Sequence, residues 1–285
     1  MKTILLPVTL LLSFVLQAQY YYNDIVGTQE TNRQMKTYWA NKVQTVSASG
    51  FDPRGMKATG FSEFQEMKEN GMALKTSSIT DLNKTIIYSR FNKEGRVVNM
   101  TDSSTELLSI TIYDYDTDGK ITRVQNTVKD SANDFDQTEI HIWVYNPAGK
   151  PERMWRIIMN TGNMGGTDSL EVRFVTDEDG NIGEERNLKK GIETGYLYYY
   201  YDEKNRLSDI VRYNTKRKAL MPDIMFEHNE SDRVIQKITT TSSLNLGYLI
   251  WRYVFDEKGL KIKEALFNND KELTGKIEYS YTFSK

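Results

Sequence analysis

The chain has 285 residues, with 37 Lys and Arg against 39 Asp and Glu, a formal charge of −2 and no cysteine. Because charges of both signs are interspersed, the composition gives no electrostatic basis for binding nucleic acid or an anionic membrane. The lack of cysteine removes disulfides and the usual lipid-anchor site, so the fold must depend on its apolar core.

Residues 1–18 predict a secretory signal peptide. Met1-Lys2 precedes an apolar run from Ile4 to Leu16, and Gln17-Ala18 follows it. The run is too short to span a bilayer and has the length of a signal-peptide core, although a buried N-terminal strand is the alternative. We therefore expect an exported protein, periplasmic or extracellular, with no membrane insertion after cleavage.

Residues 19–50 are less regular than the rest and predict an N-terminal cap segment. Tyr20 to Val26 suggests a short strand or an extended cap, and Thr28 to Ala40 suggests a brief helix. Val43 and Val46 then lead into the first regular unit. Terminal units of repeat proteins are usually atypical because they cover the open end of the stack.

Residues 51–285 predict a domain of repeated β-hairpins. The pattern is an aromatic residue, Asp or Asn, two further residues and an exit residue that is usually Gly. The entry residues are Asp52, Asn92, Asp116, Asn146, Asp177, Asp202, Asn229 and Asp256, and the exit residues are Gly55, Gly95, Gly119, Gly149, Gly180, Asn205, Asp232 and Gly259. A short polar side chain at the entry accepts backbone N–H bonds, and the exit needs a positive φ, which Gly, Asn and Asp tolerate.

The spacing of these turns predicts the fold class. Successive exit positions from Gly95 to Gly259 lie 24 to 31 residues apart, enough for two strands and two turns. The longer gap between Gly55 and Gly95 is expected to hold an extra hairpin at Glu69-Asn70-Gly71-Met72. We predict an all-β antiparallel meander of about sixteen strands, forming a long curled or superhelical sheet, or a partly closed one.

The runs Tyr113 to Ile121, Tyr199 to Leu207 and Tyr253 to Ile262 carry a Tyr-Asp-x-x-Gly-like pattern. The series resembles the YD (RHS) repeats of bacterial secreted proteins. The resemblance implies strands wound into a β-shell, which in large members sometimes encloses a toxin, and carbohydrate binding has been proposed for such repeats.

Aromatic residues two positions apart form a stripe along one face of the strands. Trp143, Tyr199, Trp251 and Tyr253 are the first candidates for stacking on sugar rings, and Tyr196, Tyr198 and Tyr200 on the second face are the alternative. The competing interpretation is cross-strand core packing, which any repeat sheet needs.

Catalytic and metal motifs are weak. Asp114, Asp116 and Asp118 before Gly119 resemble the start of a calcium loop, but Gln125 stands where a bidentate Glu is required. His141 and His228 are the only histidines, too few with no cysteine for an ordinary zinc site. We therefore assign no catalytic, cofactor-binding or metal residue and no cofactor.

The connections between units vary in length more than the turns within them. The longest are Lys129–Asp134 and Asn160–Asp168, expected on the edge opposite the Asp-x-x-Gly turns, as a binding surface or as tolerated loop variation. The basic run Lys216–Lys218 is interpreted as a solvated loop.

The predicted function is an exported, non-catalytic binding or scaffold protein directed at a glycan or an envelope protein. The alternative is a secreted hydrolase with a carboxylate site in a groove of the sheet.

Overall fold

The computed structural model describes residues 20–80, 83–104, 107–130, 135–160, 165–214, 218–240 and 247–284. The predicted signal peptide lies outside these ranges, as do residues 131–134 and 161–164 of the two long connections and two of the three residues of the basic run. One helix, α1, spans Asn23–Ala40. The strands are β1 (Val43–Phe51), β2 (Lys57–Lys68), β3 (Ala73–Thr80), β4 (Lys84–Phe91), β5 (Val97–Ser103), β6 (Leu107–Tyr115), β7 (Ile121–Asp130), β8 (Phe135–Tyr145), β9 (Pro151–Asn160), β10 (Gly166–Thr176), β11 (Ile182–Lys189), β12 (Ile192–Tyr201), β13 (Leu207–Asn214), β14 (Ala219–His228), β15 (Val234–Thr240), β16 (Tyr248–Phe255), β17 (Lys261–Phe267) and β18 (Leu273–Phe283).

The strands form a closed antiparallel barrel. Each pairs with its neighbours in sequence, and β1 pairs with both β2 and β18, so that Val46 lies between Gln65 and Tyr281. The predicted all-β antiparallel meander is confirmed, and the sheet closes fully. Eighteen strands are present in the described part of the chain. Closure pairs the strand edges that an open sheet of this size would leave exposed.

The Asp-x-x-Gly turns have the predicted hydrogen bonding. At Asp256 the backbone N–H bonds to Leu260 O at 2.9 Å, and Oδ1 of Asp256 accepts a bond from the N–H of Leu260 at 2.8 Å. A further turn with the same bonds runs from Asn268 to Glu272, with Lys271 at φ 62°. The sequence pattern missed it because Lys rarely adopts a positive φ.

The turns divide between two ends of the barrel. The predicted hairpin at Glu69–Met72 exists as a short 3-10 turn (Glu69–Gly71). Three strands, β2 to β4, therefore separate the Asp52 turn from the Asn92 turn. An odd number of strands places the Asp52 turn at the end with the long connections, contrary to our expectation that all Asp-x-x-Gly turns share one edge. We call the end with the turns from Asn92 to Asp256 the Asx end.

Tyrosine hydroxyls tie three of the hairpins to the hairpin before them. Tyr115 donates to Val97 O at 2.7 Å, Tyr145 to Ile121 O at 2.7 Å and Tyr201 to Ile182 O at 3.0 Å. Each acceptor begins a strand of the neighbouring hairpin. The tyrosine before the Asp or Asn thus contributes a hydrogen bond between repeats as well as apolar area.

The segment before β1 differs from the expected short strand. Asn23 N–H bonds to Tyr20 O at 3.2 Å, and the helix begins there and ends at Ala40, where the sequence predicted its end. Tertiary packing overrides the strand preference of the tyrosines, because the rings of Tyr20 and Tyr22 pack against Tyr199 inside the barrel. β1 crosses the boundary expected at residue 51, since it starts at Val43. No helix in the described ranges is long and apolar enough to cross a membrane.

Candidate ligand cavity beneath the N-terminal helix

α1 lies across the Asx end of the barrel. Hydrogen bonds from the helix reach three widely separated points of that end. Trp39 Nε1 donates to Gly71 O at 2.7 Å, Asn32 Oδ1 accepts from Val97 N at 2.8 Å, and Arg33 Nη1 donates to Asp232 O at 2.6 Å. Asn41, which follows the helix, donates from Nδ2 to Lys258 O at 3.3 Å. A helix of 18 residues is about 27 Å long. It is therefore long enough to bridge these turns.

The inner face of α1 closes the apolar core. Met35 is almost fully buried among inward residues that include Met100 and Ile210, and Tyr38 packs in a second cluster with Val46 and Leu260. The helix is thus part of the barrel interior.

A chain of charged groups fixes the start of α1 to the barrel wall. Asp24 Oδ2 lies 2.6 Å from His141 Nδ1 and accepts a bond from Trp143 Nε1 at 3.0 Å. His141 Nε2 lies 2.8 Å from Glu139, which also binds the guanidinium of Arg156 at 3.0 and 2.9 Å. We call Asp24, His141, Glu139 and Arg156 the helix anchor.

The electrostatics of the helix anchor favour the charged forms of His141 and Glu139. Burial disfavours the imidazolium of His141, but the charges and hydrogen bonds of Asp24 and Glu139 outweigh it and raise its pKa to about 9. Burial also opposes ionisation of Glu139, yet hydrogen bonds from His141 and Arg156 lower its pKa to about 2. His141 is therefore protonated at neutral pH and cannot act as a general base there.

Glu185 is a second buried contact to the start of α1. Its side chain is fully buried, and Oε2 accepts bonds from Tyr199 OH at 2.6 Å and from Tyr22 N at 3.2 Å. Oε1 has no hydrogen-bond partner among the described residues. Burial raises the pKa of Glu185 to about 7, and the two donors only partly oppose this.

A cavity of about 520 Å³ lies between α1 and the wall formed by β14 to β18. Aromatic rings of Tyr20, Tyr38, Phe226, Tyr253, Phe255 and Tyr281 line it. Small-molecule sites typically measure roughly 300–1,000 Å³ and combine apolar walls with a few polar groups. The cavity has the size and the aromatic lining of such a site.

The charged lining of the cavity is unbalanced. Four cationic side chains, Arg33, Arg233, Lys237 and Lys261, face two acidic ones, Glu30 and Asp232. Lys261 is neutralised by Glu264 at 2.6 Å, and Arg33 pairs with Glu30. Asp232 pairs with Arg206 at 3.0 Å. Lys237 and Arg233 therefore have no ion pair within the described ranges.

Their surroundings disfavour the charge on both groups. The cavity leaves Lys237 half-buried by accessible surface, yet enough protein surrounds it that desolvation lowers its pKa. Burial and then the charge of Arg33 lower the pKa of Arg233, whose guanidinium stacks 5.2 Å from the ring of Phe255. His228, also in the lining, has its pKa lowered mainly by burial.

The carboxylates of the interior do not form an open acid pair. Glu63 accepts bonds from Gln65 at 2.9 Å and Ser78 at 3.0 Å, and lines a separate void of about 40 Å³, room for water alone. Glu30 and Asp232 are held in the ion pairs described above. Burial, and to a smaller extent the charge of nearby Glu264, raises the pKa of Glu63.

The structure separates the aromatic candidates. Trp143 and Tyr199 are 4 % and 3 % exposed and belong to the core, as the packing interpretation predicts. Tyr253 lines the cavity, and Trp251 lies opposite Lys237 in the β15–β16 register. The alternative candidates on the second face, Tyr196, Tyr198 and Tyr200, point outward, and Tyr200 is 46 % exposed.

The carboxylates of the calcium-like run have protein partners. Oδ1 of Asp116 accepts the N–H of Lys120 at 2.8 Å, Asp118 pairs with Lys120 Nζ at 3.3 Å, and Asp114 pairs with Arg123 at 3.5 Å. No group of three or more metal-ligating side chains occurs in the part of the chain that the structure describes.

Sequence reasoning missed the cavity. The position before the entry residue is Tyr at 115, 145 and 201 but His228 and Phe255 in the two repeats that line the cavity. Phe91 and Thr176 occupy the same position in repeats away from the cavity and also lack the tyrosine hydroxyl. The residue type at this position therefore does not locate the cavity.

Comparisons with known proteins show limited likeness. No family model matches the chain, and no curated protein does. A porin-like protein from Bacteroides uniformis is 10 % identical with a TM-score of 0.40 over 84 % of this chain and 98 % of its own, and one from Bacteroides vulgatus is 11 % identical with a TM-score of 0.28 over 82 % and 97 %. The Photorhabdus luminescens Tc holotoxin pore is 11 % identical with a TM-score of 0.30, covering 78 % of this chain and 15 % of that one. With TM-scores below 0.5, these likenesses carry no argument about function, and the YD resemblance remains an interpretation of the motif.

Proposed function

We propose that this chain is an exported, non-catalytic binding protein and that the cavity beneath α1 is its ligand site. The observation that carries the proposal is an aromatic-lined space of about 520 Å³ in which Lys237 and Arg233 lack ion pairs. A glycan fragment fits this lining, because sugar rings stack on aromatic faces while their hydroxyls bond to polar groups. The signal-like residues 1–18 support export.

The test is a screen of soluble glycans against the purified chain, followed by calorimetry on any that bind. Tyr253→Ala removes a ring from the cavity wall, and Tyr200→Ala removes one from the outer surface as a matched control. We expect Tyr253→Ala to weaken binding about tenfold or more and Tyr200→Ala to leave it unchanged. Equal effects of the two substitutions, or binding by neither variant nor parent, would reject the cavity as a glycan site.

The same samples test the hydrolase alternative. Any bound glycan is incubated with the chain and analysed for shortened products. Product formation that depends on protein concentration would support catalysis and contradict a purely binding role.

A further inference from the structure

We propose that the ligand carries an anionic group, a carboxylate, sulfate or phosphate, and that Lys237 binds it. This inference rests on the cavity being the ligand site. It adds the charge of the ligand and the residue that recognises it.

Comparison of the repeats shows that a lysine at this position is unusual. Five residues after each exit residue from Gly95 to Gly259, the chain places an inward side chain in mid-strand: Met100, Val124, Met154, Glu185, Ile210, Lys237 and Glu264. Apart from Lys237, all are less than 9 % exposed. The position is therefore an interior one, occupied by an apolar residue in four of the seven repeats, by Glu in two and by Lys in one.

The charged members of this set differ in how they are stabilised. Glu185 is bound by Tyr199 and by the backbone of Tyr22, and Glu264 is paired with Lys261. Lys237 lies between Phe226 and Trp251 in the sheet register, and no carboxylate in the described ranges pairs with it. An ammonium is costly to remove from water without a counter-charge, and Lys237 is half-buried in the cavity wall, so an anion bound in the cavity would supply the counter-charge that the chain does not.

The neighbouring groups reinforce the positive potential. Arg233 contributes a second cation without an ion pair; burial and the charge of Arg33 lower its pKa, and the charges of Glu30 and Asp256 partly oppose them. The acids of the lining, Glu30 and Asp232, are engaged with Arg33 and Arg206. His228 and Lys261 complete the titratable lining, the latter neutralised by Glu264. An anion entering the cavity would meet Lys237 and Arg233 without displacing an internal carboxylate from either.

The first experiment compares matched ligands and matched lysines. Calorimetry measures D-glucuronate against D-glucose, and inorganic sulfate and phosphate alone, at constant ionic strength. Lys237→Met is the test variant, and Lys263→Met, which lies opposite outward-facing Val254, is the control. We expect glucuronate or the inorganic anions to bind, glucose to bind more weakly, and Lys237→Met alone to weaken anion binding about tenfold or more.

Stability without ligand gives a second, independent measurement. Removing an unpaired interior cation should raise the melting temperature in chloride buffer, and anions should then stabilise Lys237→Met less than they stabilise the parent or Lys263→Met. A lower melting temperature for Lys237→Met, with anion effects equal in all three proteins, would overturn the inference. Binding of glucose and glucuronate with equal affinity, both sensitive to Tyr253→Ala, would overturn it while leaving the proposed function intact.

Discussion

The guanidinium of Arg233 lies against Gly259, so that a Cβ added to Gly259 would collide with it. The same relationship joins Arg96 to Gly119 in an earlier pair of neighbouring turns. In both cases the cation also stacks on the next motif aromatic, 5.2 Å from Phe255 and 5.9 Å from Tyr115. The exit glycine therefore adopts a positive φ and also leaves space for the arginine side chain of the preceding turn.

Two of the exit positions without Gly, Asn205 and Asp232, fit this relationship. Asn205 accepts a hydrogen bond from Asn181 Nδ2 at 3.3 Å, and Asp232 accepts one from Arg206 Nη1 at 3.0 Å. In each pair the donor directly follows the exit residue of the preceding turn. An exit residue with a side chain is therefore tolerated where the residue after the preceding exit donates a hydrogen bond to it.

The first prediction separates backbone strain from this close contact. Gly259 and Gly180 have φ of 76° and 78°, but no atom lies within 4 Å of a Cβ built on Gly180. We expect Gly180→Ala to destabilise the fold by about 1–2 kcal/mol and Gly259→Ala by more. Urea unfolding measures both, and the excess should vanish in an Arg233→Ala background. An unchanged difference in that background would exclude Arg233 as the cause.

The second prediction concerns the hydroxyl bonds between hairpins. Tyr115→Phe keeps the ring but removes the 2.7 Å bond to Val97 O. The expected loss is about 1 kcal/mol of unfolding free energy, with Tyr200→Phe on the outer surface as a near-neutral control. Equal stability of the two variants would show that the hydroxyl bond contributes nothing.

The third prediction follows from the helix anchor. Because the folded pKa of His141 is raised to about 9 from an ordinary value of 6.5, its stabilisation is complete below pH 6.5 and is lost as pH rises through 9. The full effect is on the order of 3 kcal/mol. Chemical unfolding between pH 6 and pH 9.5 should show this fall in the parent and a smaller one in Asp24→Asn. A fall of the same size in Asp24→Asn would rule out the Asp24–His141 contact as its source.

The fourth prediction concerns Glu185, whose folded pKa is raised to about 7. A buried acid with a raised pKa is favoured in its neutral form, so its cost to folding grows as pH rises from about 4.5 to 7 and is constant above. Glu185→Gln keeps an acceptor for Tyr199 and cannot ionise. We expect it to match the parent near pH 4 and to exceed it by about 3 kcal/mol at pH 8. A variant less stable than the parent at pH 8 would contradict this.

Local chemistry made much of the architecture predictable. The turn at Asp256 needs only a short acceptor at its entry and a residue that tolerates positive φ at Gly259, both within four residues of each other. Repetition of that pattern identified hairpins, antiparallel order and an aromatic stripe on one face of the strands. The turn at Asn268 was not predicted because its exit residue is Lys271. The Asp52 turn was assigned to the wrong end of the barrel because β2 to β4 were not counted as three strands.

The sequence by itself therefore determined the features that depend on residues close together in the chain: the turns, the strand alternation and the end of α1 at Ala40. Only the tertiary structure decided that β1 pairs with β18, that α1 closes the Asx end, and that Asp24 meets His141 across 117 residues of chain. It also decided that Lys237 faces a cavity without a counter-charge. Such contacts depend on closure of the whole barrel, because burial and pairing between distant strands arise only when every intervening strand has fixed its register.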